Sequence, residues 1–167
     1  MDISYLGLPA SVTEKVRFYP FEDILVEIFK RGLEGVKFVT YIAEDIEDYP
    51  YVTGFRFTPQ AGWSGDPRFI DTGLIRINVF TSGEHAEDEG FFISEAIRVM
   101  MLQAHLERWH FPGVGSVLNI EMTVEPTEST DWATSTGVVQ FADLPKGVLR
   151  SETVYRMTIR RPQTESD

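Results

Sequence analysis

Residues 81–109, TSGEHAEDEGFFISEAIRVMMLQAHLERW, decide how the chain folds. Thr81 and Ser82 are residue types that satisfy the free N–H groups at a helix start, so the spacing predicts N-caps there. Glu84, Glu87, Asp88 and Glu89 follow, where negative charge suits the positive end of a helix; Arg98, His105 and Arg108 lie later, where cations suit the negative end. Gly90 is the one breaker, at a cost of about 1 kcal/mol relative to Ala. The run Phe91–Leu102 is interrupted only by Ser94, Glu95 and Arg98, which is too apolar for an ordinary surface helix.

On a wheel of about 100° per residue, Glu87, Ser94, Glu95, Arg98 and His105 gather on one side. Ile93, Ala96, Ile97, Val99, Met100 and Ala104 gather on the other and are expected in the core. Phe91 and Leu102 fall among the polar residues, where a monomer gains nothing from two large apolar groups. Either a loop of the same chain covers them or a second copy does.

Working outward, Leu74–Phe80 alternates Ile75, Ile77 and Val79 with Arg76 and Asn78, the pattern of a strand feeding the helix. On the N-terminal side, Gly7 and Pro9 argue against a long element in residues 1–17. Pro20 suits a first helical turn, and Phe21, Ile24, Leu25, Ile28 and Phe29 then recur at helical spacing up to stops at Gly32 and Gly35. Val36–Ile42 and Tyr51–Phe57 read as strands able to pair as a hairpin across the acidic turn Ala43–Pro50, with Gly54 a candidate bulge. Thr58–Gly73, with three Gly and two Pro, reads as a long loop; Trp63, Phe69 and Ile70 in it need something to dock on.

Beyond the helix, His110–Gly115 is a turn, Val117–Val124 a strand, Pro126–Gly137 a Ser/Thr-rich loop around Trp132, Val138–Ala142 a short strand and Asp143–Gly147 a turn. Glu152–Arg160 is the last strand, with Thr153, Tyr155, Met157 and Ile159 on one face and Val154, Arg156, Thr158 and Arg160 on the other. The expected fold is α+β: one domain over residues 1–162, a mostly antiparallel or mixed sheet, the long helix and the short N-terminal helix packed on one face, and a polar tail at 163–167.

Composition agrees with a folded domain. Of 167 residues 43% are hydrophobic, enough for a proper core. The absence of cysteine excludes disulfides and thiolate metal sites. No apolar run is long enough to span a bilayer, and a soluble, unprocessed chain is expected. A formal charge of -11 argues against tight nucleic-acid binding through phosphates. Lys146, Arg150, Arg156, Arg160 and Arg161 give the C-terminal end a basic bias, a polarity that either aligns copies head to tail or is simply solvated.

No catalytic signature is present: no GxSxG, GxxxxGK[ST] or HExxH. His105 and His110 flank Glu107, but positions five apart do not share a helix face and Pro112 follows, so no metal is expected. Glu44, Asp45, Glu47 and Asp48 lack the enclosure that acid–base catalysis needs and the spacing of a calcium loop. Trp63 and Trp132 serve either as a ligand platform or as protein–protein anchors. No cofactor is expected, and no enzymatic role.

The stretch RINVFTSGEHAEDEGFFISEAIRVM (residues 76–100) resembles the tail terminator proteins of long-tailed (siphovirus) actinobacterial phages. So do DWATSTGVVQFADLPKGVLRSETVYRMTIRRP (131–162) and the link AHLERWHFPGVGS (104–116). The resemblance implies a virion protein, assembled in the host cytoplasm, that forms a homo-hexameric ring on the head-proximal end of the tail tube. The ring ends tube polymerisation and presents a surface to the head–tail connector, or stopper, protein; viral DNA passes through it without specific binding, and no membrane is involved. Under that reading Phe91, Leu102, Trp63, Phe69 and Trp132 are candidates for subunit or tube contacts, and Glu44, Asp45, Glu47 and Asp48 for an acidic lumen. The nearest rival is another head–tail connector protein, an adaptor or stopper. A rival of a different class, a small α+β ligand-binding domain or enzyme, would need a closed pocket of convergent polar groups.

Overall fold

The computed structural model describes residues 6–14, 21–41, 48–57, 66, 68–129 and 147–162. A single turn, α1 (Ala10–Thr13), precedes α2 (Phe21–Gly32); three strands follow, β1 (Lys37–Val39), β2 (Tyr51–Arg56) and β3 (Ile70–Ser82). The long helix α3 (Ala86–Leu106) leads into β4 (His110–Phe111), β5 (Gly115–Ser129) and β6 (Val148–Arg160). The strands form one mixed sheet in the order β1-β2-β3-β6-β5-β4, so the fold is the expected α+β class.

Helix α2 forms where its apolar period lies. Phe21, Ile24, Leu25, Ile28 and Phe29 are all buried, Glu22 and Asp23 occupy the first turn, and Lys30 and Arg31 the last. Burying such side chains is worth about 1.5–3 kcal/mol each. Together with Ile93, Ile97, Met100, Met101 and Ala104 of α3 they close one core over Ile75, Ile77 and Val79 of β3, Tyr155, Met157 and Ile159 of β6, and Val117 of β5. Thr153, Tyr155, Met157 and Ile159 are buried and Arg156 and Arg160 exposed, as alternation required; Val154, on the other face, is buried as well.

The opposite face of the sheet carries a second, small apolar cluster beside a buried polar network. Tyr51 stacks on Phe80 with ring centres 4.5 Å apart, beside Val148. Next to them Asn78 donates to Thr53 Oγ1 (3.2 Å) and accepts from Arg150 Nη1 (3.2 Å), which also donates to Glu152 Oε2 (2.7 Å). Arg76 Nε lies 3.6 Å from the same carboxylate.

Several expectations are corrected. Thr81 and Ser82 are not caps: they end β3, His85 occupies the N-cap position without a side-chain bond, and Thr81 Oγ1 instead donates to Ala86 O at 2.7 Å. Gly90 has a positional reason, since a Cβ there would meet Thr81 Oγ1 at 3.3 Å. Residues 70–73 are strand, not loop: Gly73 leaves room for Arg56, whose guanidinium bonds Asp71 Oδ2 and Thr72 O, both at 3.1 Å. β1 is three residues long and runs parallel to β2, so the two are no hairpin. Gly54 sits in regular register with Ile77 and is no bulge; the irregularities lie in β5, which also extends past its expected end. Pro20 and the expected strand 138–142 lie outside the described residues.

Candidate assembly surface

Helix α3 meets the sheet with one side only. Ala86, Gly90, Ile93, Ser94, Ile97, Met100, Met101 and Ala104 are buried against β3, β5 and β6. The outer side carries Phe91 (66% exposed), Phe92 (70%), Val99 (49%), Leu102 (49%) and Leu106 (69%). These five fall within an arc of about 100° and run along about 22 Å of helix. Phe91 and Phe92 meet edge to face at 5.8 Å. In the middle of the stripe Arg98 Nε donates to Glu95 Oε2 at 2.8 Å, and this bond holds the Glu95 carboxyl below the usual carboxylate range.

The two ends of the stripe differ in charge. Glu84, Glu87 and Asp88 are exposed at its start. At its end the helix closes with a Schellman pair of bonds, Trp109 N to Ala104 O (3.1 Å) and Arg108 N to His105 O (3.3 Å). That puts Arg108 in the left-handed region at φ 49° and its side chain in solvent. Arg31 of α2 lies over the Trp109 ring at 4.2 Å, and Trp109 Nε1 donates to Glu107 Oε2 at 2.7 Å, so α2 and the end of α3 are tied together. The bonds from Gln103 and Trp109 keep the Glu107 carboxyl below its ordinary range.

Of the sequence candidates, Phe91 and Leu102 do face solvent on this surface. Val99 does so too, against expectation, while Ser94 is buried: the sheet sits under the Ala104–Ile97 line, which turns the wheel away from the division that polarity suggested. Phe92 and Leu106 were missed; both lie within the arc opposite Ala104, the signal that would have found them. Phe69 is half-buried in its own domain, with Arg68 over its ring at 5.2 Å and its carbonyl accepting from Arg161 N at 2.7 Å. Asp48 is exposed, 3.8 Å from Lys37 Nζ. Trp63, Trp132, Glu44, Asp45 and Glu47 lie outside the described residues.

Among the described residues no group of three His, Asp or Glu side chains is placed to hold a metal ion, and no helix is long and apolar enough to cross a membrane. Met122 and Val124 add exposed apolar side chains on β5. The sequence matches no protein-family model and no curated protein. Among the described residues the α3 stripe is the largest run of exposed apolar side chains on one element.

Proposed function

We propose that the chain is a structural virion protein, the tail terminator of a long-tailed phage. It forms a ring on the head-proximal end of the tail tube, ends tube polymerisation and joins the tail to the head connector. The observation that carries this reading is the exposed apolar stripe on α3, most of which lies within the stretches whose sequence resembles the terminator family. A capping subunit must offer a surface that is complementary to a protein neighbour and otherwise left in water, and Phe91, Phe92 and Leu102 supply one. The net charge of -11 fits a ring through which DNA must slide, because acids facing the lumen repel phosphates; the acidic segment 44–48 is the proposed source of that charge.

The test is an infection in which this chain is not made, with tails measured by electron microscopy. Tubes of uncontrolled, excessive length are expected. Tails of normal length that fail to join heads would favour an adaptor or stopper instead, and particles unchanged in both respects would end the structural reading.

A further inference from the structure

Residues 3–13, ISYLGLPASVT, carry no charge in a chain that is 25% charged. The structure describes this stretch from Leu6 onward, and residues 6–14 are all exposed. Helix α1 buries none of its residues. Leu6 (53% exposed), Leu8 (38%) and Val12 (43%) join neither apolar cluster of the domain. Among the described residues the hydrogen bonds of this segment are internal: Val12 N and Thr13 N donate to Pro9 O at 2.9 and 3.0 Å, and Thr13 Oγ1 donates to the same carbonyl at 3.2 Å. The chain therefore leaves two apolar surfaces in water, a short arm and the outer side of α3. Each exposed surface costs free energy in proportion to its area, at about 25 cal/mol per Å², and one can cover the other.

We infer that residues 6–14 of one copy lie along the outer side of α3 of a second copy, antiparallel to the helix. This contact does not depend on the chain's being a terminator. The lengths match: an extended stretch over residues 6–9 and one helical turn after it span about 16 Å, within the roughly 22 Å of the stripe. Charge sets the direction. Lys15 and Arg17 follow the uncharged run and outweigh Glu14, while Glu84, Glu87 and Asp88 stand exposed at the start of α3 with no ion pair among the described residues. An antiparallel arm brings those cations to these acids and Leu6 and Leu8 towards Leu102 and Leu106. A parallel arm would set them against Arg108, whose neighbour Glu107 is already held by Gln103 and Trp109. The occupant comes from another copy because the arm stands clear of its own α3, whose five outer apolar side chains keep exposures of 49% to 70%. Arm and stripe are different surfaces, so the contact is heterologous and adds copies head to tail, as a closed ring does.

The absence of cysteine makes the test direct. Ser11→Cys puts a thiol on the arm, Val99→Cys one in the middle of the stripe, and Asn119→Cys one on an exposed position of β5 as the control. The whole-chain variants are mixed in pairs at about 100 μM under mild oxidation. Ser11→Cys should link to Val99→Cys about tenfold faster than to Asn119→Cys, the ratio of a millimolar effective concentration in the docked pair to that of the free chain. Adding Leu8→Ser and Val12→Ser to the Ser11→Cys chain should bring the rate down to that of the control, with an unchanged circular dichroism spectrum. Lys15→Glu with Arg17→Glu should slow the link about threefold, and Glu87→Lys with Asp88→Lys on the other chain should restore it. Equal rates for Val99→Cys and Asn119→Cys would overturn the inference. So would faster linking of Ser11→Cys to itself than to Val99→Cys. A chain carrying both Ser11→Cys and Val99→Cys should link into species of two or more copies; one that closes only an internal disulfide and stays at 19.0 kDa would place the arm on its own helix and overturn the inference as well.

Discussion

Phe38 is clamped between the backbone of Gly54 and the ring of Phe29. A Cβ built on Gly54 would come within 2.8 Å of Phe38 Cε2, while the two phenylalanine rings stack at 3.9 Å and 10°. This contact joins β1, β2 and α2, and it explains why a three-residue strand holds its place at the sheet edge.

Gly54→Ala should therefore destabilise the domain by about 1–3 kcal/mol, the usual cost of overpacking, since the new methyl has two Phe38 ring atoms in its way. Urea denaturation followed by circular dichroism measures it. A loss below about 0.5 kcal/mol would mean that the ring moves aside freely.

Glu152 accepts from Arg150 and lies beside Arg76, with both guanidinium side chains almost fully buried. Glu152→Ala removes the carboxylate and leaves its two cations behind. It should cost about 3 kcal/mol, because breaking a buried ion pair removes part of the compensation of two buried cations. Denaturation of the variant at neutral pH gives the number, and a cost under about 1 kcal/mol would show that the network is well solvated.

Alkaline pH should weaken the fold. Burial pushes the Tyr155 hydroxyl up from 10.0 to about 12, with Arg98 opposing the rise and Glu95 adding to it. Burial moves Tyr51 in the same direction, helped by Tyr49. Each phenol holds its proton more tightly folded than unfolded. The associated stability is thus complete below pH 10 and is lost as pH climbs through the folded value. Urea midpoints should hold from pH 7 to 9 and fall from about pH 10, and Tyr155→Phe should make the fall shallower. A midpoint constant up to pH 11 would contradict the burial of these groups.

Arg108→Gly should raise the stability of the monomer by up to about 1 kcal/mol, since relief of the left-handed strain outweighs the extra freedom glycine gives the unfolded chain. The melting temperature of the dilute protein checks this. An unchanged or lower value would mean that the Arg108 side chain does local work in the monomer.

How much of this was legible in the sequence depended on how local the cause was. Helix α2 was readable from five apolar positions, because each of them points into the core that the period implies. The alternation of Thr153, Tyr155, Met157 and Ile159 told the buried face of β6 for the same reason. The direction of β1 was not readable: three residues carry no preference, and pairing beside β2 is set by the Phe29–Phe38–Gly54 packing. The start of β3 was hidden because Gly73 signals a loop by composition, whereas here it makes space for Arg56. On α3 the periodicity was correct but its phase was not, since Val99 and Ser94 lie near the boundary that only the sheet's position defines. Phe91 and Leu102 stood out because no arrangement of the helix could bury them together with Ile97 and Ala104.

The central claim is positional and is best tested by gold labelling with an antibody to this chain on phage particles from its source, including tails separated from heads so that a covered ring is exposed. The account predicts gold at the head-proximal end of the tail. Gold on the portal end of the head, or none on the virion while the chain is abundant in the lysate of infected cells, would contradict it.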